Sequence, residues 1–413
     1  MFQYLCEVGF RLVQPIVEKV IRNSNYPQDA IDRKNARIPE AGFTKEENVI
    51  MFHGVSVGEA VALENLVKTT RREFPNAKIV VTTGTWTGQD IAKKKMGEAA
   101  DLVTYFPFDC PSIVKNFLDK INPTTVLIAE TEIWPNFAAE CKKRGINLFV
   151  INGRISDSTF KTYDIFKFVF KPFLNLYSGI FTQSEDDNNK FLRLGANPET
   201  TKVMNNLKFD IKKPDAINFS KGKARVLLAG STHSGEDEIV LENFKKLKEK
   251  HSDLKLILAP RHLTREDEVK GLIEKFGFTY ELRSTGKDNL EEVDILLLNT
   301  LGELGKMYSQ ADISFIGGSF NKTGGHNPLE SIVFSKPVIS GPSTHNFKDI
   351  YNIIKKAGAG FVVNSSEEFF EIANKMLSEE KFYSETVEKC EKVFNEQQGA
   401  LDFVINILKS VNK

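Results

Sequence analysis

From residue 48 onward, short apolar runs alternate with longer stretches in which apolar residues recur at helical spacing. Residues 49–52, 78–83, 126–129, 147–152 and 179–183 read as strands of a parallel sheet buried on both faces. Amphipathic stretches at 60–74 and 112–121 lie between them. The rhythm restarts near residue 224, with expected strands at 225–230, 254–259, 294–298, 312–317 and 336–340. This alternation predicts an α/β protein with doubly wound sheets. Residues 207–224 are charged, hold Pro214 and lack apolar periodicity, as a linker should. The expected organisation is a Rossmann-like domain over 1–206, the linker, and a second such domain over 225–413, the last helix packing back on the first domain. Ligands in such sheets bind beyond the carboxyl ends of the strands, here expected to face an inter-domain cleft.

The first segment places Phe2, Leu5, Val8, Leu12, Ile16 and Val20 at near-helical spacing, interrupted by Pro15. It reads either as a helix packed on its own domain or as one lying at a membrane surface. It lacks the basic start and cleavage site of a signal peptide. No window of 18 uninterrupted apolar residues occurs, so no transmembrane helix is expected.

Composition narrows the class. Lys plus Arg total 55 and Asp plus Glu total 55, a balance that argues against a nucleic-acid binder. Four cysteines without a CxxC pair read as reduced thiols of a cytosolic protein. Residues 1–206 hold 26 basic and 24 acidic residues, so any membrane approach rests on local patches. Arg71-Arg72, Lys93-Lys94-Lys95 and Lys142-Lys143-Arg144 are the candidates, each against the alternative of a solvated helix face.

The chemistry concentrates at expected strand ends. His53-Gly-Val-Ser-Val-Gly-Glu59 runs from a strand through a turn into a helix. Glu59 falls in the first helical turn, where the positive helix end favours a carboxylate that can act as general base. The same turn spells GxSxG through Gly54, Ser56 and Gly58, the nucleophile-elbow pattern of serine hydrolases, against a hydroxyl that merely bonds the turn. Glu130 and Glu132 end another strand, share one face in extended geometry, and lie beside Trp134, a set suited to a sugar. In the second half, Ser231 and Thr232 precede a helix start that suits phosphate. Arg261 and His262 follow the next strand, with Arg261 offering a planar fork for phosphate or carboxylate. Gly324-Gly325-His326-Asn327-Pro328-Leu329-Glu330 brings paired glycines to a helix start, with Glu330 placed to accept ribose hydroxyls. Metal-binding signatures are missing from the sequence, and no metal or other cofactor is expected.

These pieces resemble the 3-deoxy-D-manno-oct-2-ulosonic acid (Kdo) transferases of lipopolysaccharide assembly, glycosyltransferase family 30. The matching segments are HGVSVGEA (53–60), TTGTWTG (82–88), PFDCP (107–111), ETEIWPN (130–136), NGRISD (152–157), QSEDD (183–187), NLKFD (206–210), AGSTHSGE (229–236), PRH (260–262) and GGSFNKTGGHNPLE (317–330), in family order. Asn205 departs where the family commonly has glycine, and Gly54 where it commonly has alanine. The resemblance implies a GT-B fold and an inverting, metal-free transfer of Kdo from CMP-Kdo to a lipid A precursor at the cytoplasmic face of the inner membrane, the protein being peripheral or monotopic there. It implies Glu59 as catalytic base and Glu130 as a second essential carboxylate. Read from their own strand-end positions, His53, Ser56, Gly58, Glu132 and Trp134 are expected to line the acceptor site or the cleft. Arg261 and the 324–327 turn would face the CMP phosphate, and Glu330 the ribose. Beside this stand a nucleotide-sugar epimerase or hydrolase without a lipid acceptor, and a binding protein that has lost catalysis.

Overall fold

The computed structural model describes Asp32, Arg33 and residues 43–215, 217–286 and 288–412. The periodic segment at residues 2–20 lies outside the described residues. The chain forms two compact units. The first takes the described residues up to Asp210 and the stretch from Gln397; the second is Ile211–Glu396.

In the first unit the strands are β1 (Val49–His53), β2 (Lys78–Thr83), β3 (Leu102–Tyr105), β4 (Thr125–Ala129), β5 (Asn147–Gly153), β6 (Gly179–Thr182) and β7 (Thr201–Val203). They pair in parallel in the order β3-β2-β1-β4-β5-β6-β7. The winding reverses between β1 and β4, where ligands gather in sheets of this kind. The segment beginning at His53 leaves β1, and Glu130 leaves β4, so both motifs flank that reversal. All five residues of β1 and of β4 are buried, as helices on both faces require.

The second unit repeats the plan with β8 (Arg225–Thr232), β9 (Leu254–Pro260), β10 (Tyr280–Leu282), β11 (Ile295–Leu297), β12 (Ile313–Ile316), β13 (Val338–Ser340) and β14 (Gly360–Val362). The parallel order is β10-β11-β9-β8-β12-β13-β14. Here the reversal lies between β8 and β12. The STHSGE segment begins in the last two residues of the first, and the GGSFNKTGGHNP loop follows the second.

Helix formation follows the apolar spacing. The helix Val57–Glu73 buries Ala60, Leu63, Leu66 and Val67 on one face against the sheet. Each large aliphatic buried this way stabilises by about 1.5–3 kcal/mol. Leu66→Ala would cost roughly 2–5 kcal/mol through the cavity it leaves.

One boundary differs from the sequence reading. Leu207–Phe209 is a turn of 3₁₀ helix with Leu207 and Phe209 buried, so the first unit extends to Asp210. At the other end, the helix Ala400–Val411 places Val404, Ile405 and Leu408 in the first unit's core. Asp210 accepts the Gly399 N–H at 2.8 Å and also the Leu401 N–H, covering the start of that helix with a carboxylate. Among the described residues no helix is long and apolar enough to cross a membrane.

Candidate active site

Glu59 is the third residue of its helix, and its carboxylate turns back over the helix start. Oε2 accepts the Val55 N–H, and Oε1 accepts the Ser56 hydroxyl at 2.9 Å. This is a variant of the capping box: the N-cap serine donates to the glutamate instead of accepting a helix N–H, and the glutamate reaches back to the Val55 N–H. Burial, with the negative charge of Glu130 adding to it, pushes the Glu59 carboxyl up to about 7, against the two hydrogen bonds that favour the ionised form. A carboxyl titrating there can take a proton near neutral pH and release it again. Ser56 directs its hydroxyl at Glu59.

The Glu130–Glu132 pair is not the extended, same-face pair the alternation suggests. β4 ends at Ala129, and Glu130 sits at φ 62°, in the left-handed region that a glutamate rarely occupies. That turn buries Glu130 and carries it away from the strand's alternation. Its Oε2 accepts from Arg154 Nε at 2.8 Å, and Lys208 Nζ stands 3.8 Å from Oε1. Arg154 comes from NGRISD after β5, and Lys208 from NLKFD. Three family-like segments therefore converge on one carboxylate. The sequence reading missed both basic partners, although each lies inside a segment it quoted. Glu132 is half-buried, and burial raises its carboxyl above the usual range, with Arg33 pulling the other way.

His53 is fully buried and stacks on Phe106, with centroids 4.0 Å apart. Thr82 Oγ1 donates to the Phe52 carbonyl, so it receives the His53 Nδ1–H at 3.0 Å. Nε2 is then a bare acceptor, and burial holds the ring neutral with its pKa at about 3. His53 Nε2 and Trp134 Nε1 are both buried and have no hydrogen-bond partner among the described residues. Phe106 lies against both rings. The family-like PFDCP segment has a structural task. Asp109 accepts the N–H groups of Asn136 at 3.0 Å and Phe137 at 2.7 Å, capping the helix that begins at Pro135. Gly58 is exposed in the first turn of the Glu59 helix, and a side chain there would meet only Ser56 Oγ.

In the second unit, Glu236 organises the loop after β12. This buried carboxylate accepts the N–H groups of His233 (2.9 Å), Gly318 (2.6 Å), Ser319 (2.8 Å) and Phe320 (2.8 Å). The loop folds back through Gly325 N–H to Gly318 O at 2.7 Å and His326 N–H to Gly317 O at 3.1 Å. Gly324 and Gly325 have φ of 100° and 76°, values that favour glycine and that the turn requires. His326 is thereby brought against His233, with their Nε2 atoms 2.9 Å apart. Asn327 Oδ1 accepts the Leu329 N–H at 3.1 Å, and Pro328 caps a short helix, Leu329–Ile332, that carries Glu330. Burial raises the Glu330 carboxyl, while the Arg261 charge lowers it. Arg261 and His262 are exposed after β9.

One residue read as a phosphate ligand is engaged elsewhere. Thr232 is fully buried and donates its hydroxyl to Asp237 at 2.6 Å, and Asp237 is held by Arg265 at 2.6 Å. The bend that puts Ser231 at φ 57° turns Thr232 inward. Sequence reading passed over Glu236, although it closes the quoted AGSTHSGE segment.

Two Rossmann-like units, one with a poised carboxylate and one with a glycine-rich, histidine-lined loop, define a glycosyltransferase of the GT-B class. Residues 30–211 match the family model of the 3-deoxy-D-manno-octulosonic-acid transferase (kdotransferase), and residues 231–393 match glycosyl transferases group 1. A 3-deoxy-D-manno-octulosonic acid transferase of Haemophilus influenzae is 32% identical over 87% of this chain and 86% of its own. A bifunctional glycosyltransferase/methyltransferase of Fusobacterium nucleatum is 34% identical over 93% of this chain; this chain spans 60% of that longer protein. The glycotransferase of kitacinnamycin shares the fold at a TM-score of 0.54, with 11% identity over 88% of this chain and 99% of that one. The chain belongs to the 3-deoxy-D-manno-octulosonic acid transferase family.

Proposed function

We propose that this chain transfers a Kdo residue from CMP-Kdo to a lipid A precursor, with inversion at the anomeric carbon and with Glu59 as general base. The observation that carries this reading is the Glu59 carboxyl, fixed by Val55 and Ser56 and titrating at about 7. The acceptor hydroxyl gives its proton to Glu59 as its oxygen bonds to the anomeric carbon. The bond from that carbon to the phosphate oxygen breaks, and CMP leaves with the electron pair. Inversion in one displacement needs this single base and no covalent sugar–enzyme carboxylate. Charge gathering on the leaving phosphate is met by a cation and the loop dipoles of the second unit, with Arg261 and the 324–327 turn assigned that task. Glu130, in this reading, acts on Glu59 through its charge, which Arg154 and Lys208 temper.

The acceptor is an anionic lipid, so we place the protein at the cytoplasmic face of the inner membrane. The basic clusters named from sequence are partly committed to carboxylates: Arg71 to Asp101, Lys94 to Asp90, Lys95 to Glu64, and Arg144 to Glu140 and Asp119. A different surface fits the task. Ile165 (70% exposed), Phe166, Phe168 (73%) and Val169 form an outward apolar cluster within five residues. Exposed Lys161, Lys167 and Lys171 punctuate it. Aromatic side chains among lysines suit the boundary between headgroups and acyl chains.

Incubation with CMP-Kdo and a tetra-acylated disaccharide lipid A precursor, read by mass spectrometry of the lipid, tests the reading. A lipid heavier by one or more Kdo residues is expected. An unchanged lipid, where a known transferase works in parallel, overturns it.

A further inference from the structure

The second unit's histidines form a pair that phosphate binding alone does not explain. His233 Nε2 and His326 Nε2 are 2.9 Å apart, and the two rings are near-parallel, with an interplanar angle of 9°. At that separation the contact is a hydrogen bond, so in the neutral pair one Nε2 carries a hydrogen and the other accepts it. His233 leaves β8 and His326 follows β12, so the pair spans the reversal of the sheet where ligands bind. Both rings are half-buried, within reach of a ligand. His262 stands edge-on to His233 at 5.6 Å.

The charged groups acting on the pair are Glu236, which favours the protonated form of His233, and His262, Arg261 and Arg265, which oppose it. Burial is the largest influence on both rings and lowers both pKa values, that of His326 to about 4. A bound phosphate would reverse this balance, because its negative charge offsets the arginines and favours a cation beside it.

We propose that the His233–His326 pair is a proton store coupled to the nucleotide's phosphate, neutral when the site is empty and holding one added proton when a phosphate dianion is bound. The added proton sits on Nδ1 of the ring whose Nε2 already donates, so the bridge survives and becomes a charge-assisted imidazolium–imidazole bond. During transfer, the phosphodiester monoanion of the donor becomes the monoester dianion of CMP. The pair takes a proton from solvent as that second charge appears, independently of the proton that the base removes from the acceptor. The inference rests on the reading of this unit as the nucleotide-sugar site.

Isothermal titration of the full chain with CMP at pH 7, in two buffers of different ionisation enthalpy, reads the protons taken up per nucleotide. The wild type should take up a fraction approaching about one proton, beyond what the titration of CMP itself contributes. His326→Asn and His233→Asn should each remove that excess while still binding CMP, more weakly. Binding without excess uptake in the wild type, or the same excess in both variants, overturns the proton store and leaves the nucleotide site standing. Absence of CMP binding in the wild type overturns the nucleotide site and the store with it. Should neither variant fold, the wild-type comparison between buffers decides alone.

Discussion

Ser56 Oγ donates to Glu59 Oε1 across 2.9 Å, so the residue that spells a hydrolase nucleophile serves the residue assigned as base. The serine lowers the Glu59 pKa while burial and Glu130 raise it, and the balance falls at about 7.

Glu59→Gln should lower the transfer rate by about 10²–10⁴-fold, the usual worth of general base catalysis, with CMP affinity unchanged. Product mass and calorimetry measure the two separately. The same substitution should stabilise the fold at pH 8. A carboxyl whose folded pKa lies above its unfolded value costs stability as pH rises from about 4.5 to about 7, and the amide has no such cost. An unfolding temperature below wild type at pH 8 would contradict this.

Ser56→Ala should keep most of the activity and move the rising limb of the pH–rate profile to higher pH. The wild-type limb should lie near pH 7, because the base works ionised. Losing the hydroxyl removes a bond that favours the carboxylate. Abolished turnover at every pH would return Ser56 to the nucleophile role.

Glu236→Gln should destabilise the second unit by roughly 2–4 kcal/mol, since one oxygen that accepts buried N–H groups becomes a donor facing them. CMP binding should weaken as well, because the loop that presents His326 loses its anchor. Denaturant unfolding with and without CMP separates the two effects.

A double substitution, Ile165→Glu with Phe168→Glu, should reduce co-sedimentation with phosphatidylglycerol vesicles at least several-fold, by removing apolar area and adding charge of the repelled sign. Both positions are largely exposed, so the unfolding temperature should change little. Undiminished vesicle binding would place the membrane contact elsewhere.

The strands that periodicity reveals and those it misses divide by position. The ten central strands, from β1 to β13, were legible because burial on both faces writes them as continuous apolar runs. The four missed, β3, β7, β10 and β14, are the edges of the two sheets. They are short and incompletely buried, so the alternation that would mark them is diluted. The site was legible to a similar depth. Glu59, His326 and Glu330 stand out by residue type at strand ends. Arg154, Lys208 and Glu236 do not, because their roles depend on partners up to 84 residues distant. Asn205 sits at φ 69°, a backbone that asparagine tolerates better than most residues, so the turn survives the family's common glycine being absent. Thr232 shows the opposite case: a hydroxyl in a phosphate-like turn that the backbone turns inward.

The return of the helix Ala400–Val411 to the first unit has a consequence for biosynthesis. Val404, Ile405 and Leu408 line the same core as Leu63 and Leu66. Thr125 in β4 hydrogen-bonds Asn412 at 3.1 Å. On the ribosome, the unit begun first is therefore finished last. Ile211–Glu396 has all of its own chain before the first unit receives its closing helix. Until residues 400–411 emerge, one wall of that core faces water, and a nascent chain halted earlier leaves an apolar seam for chaperones to cover.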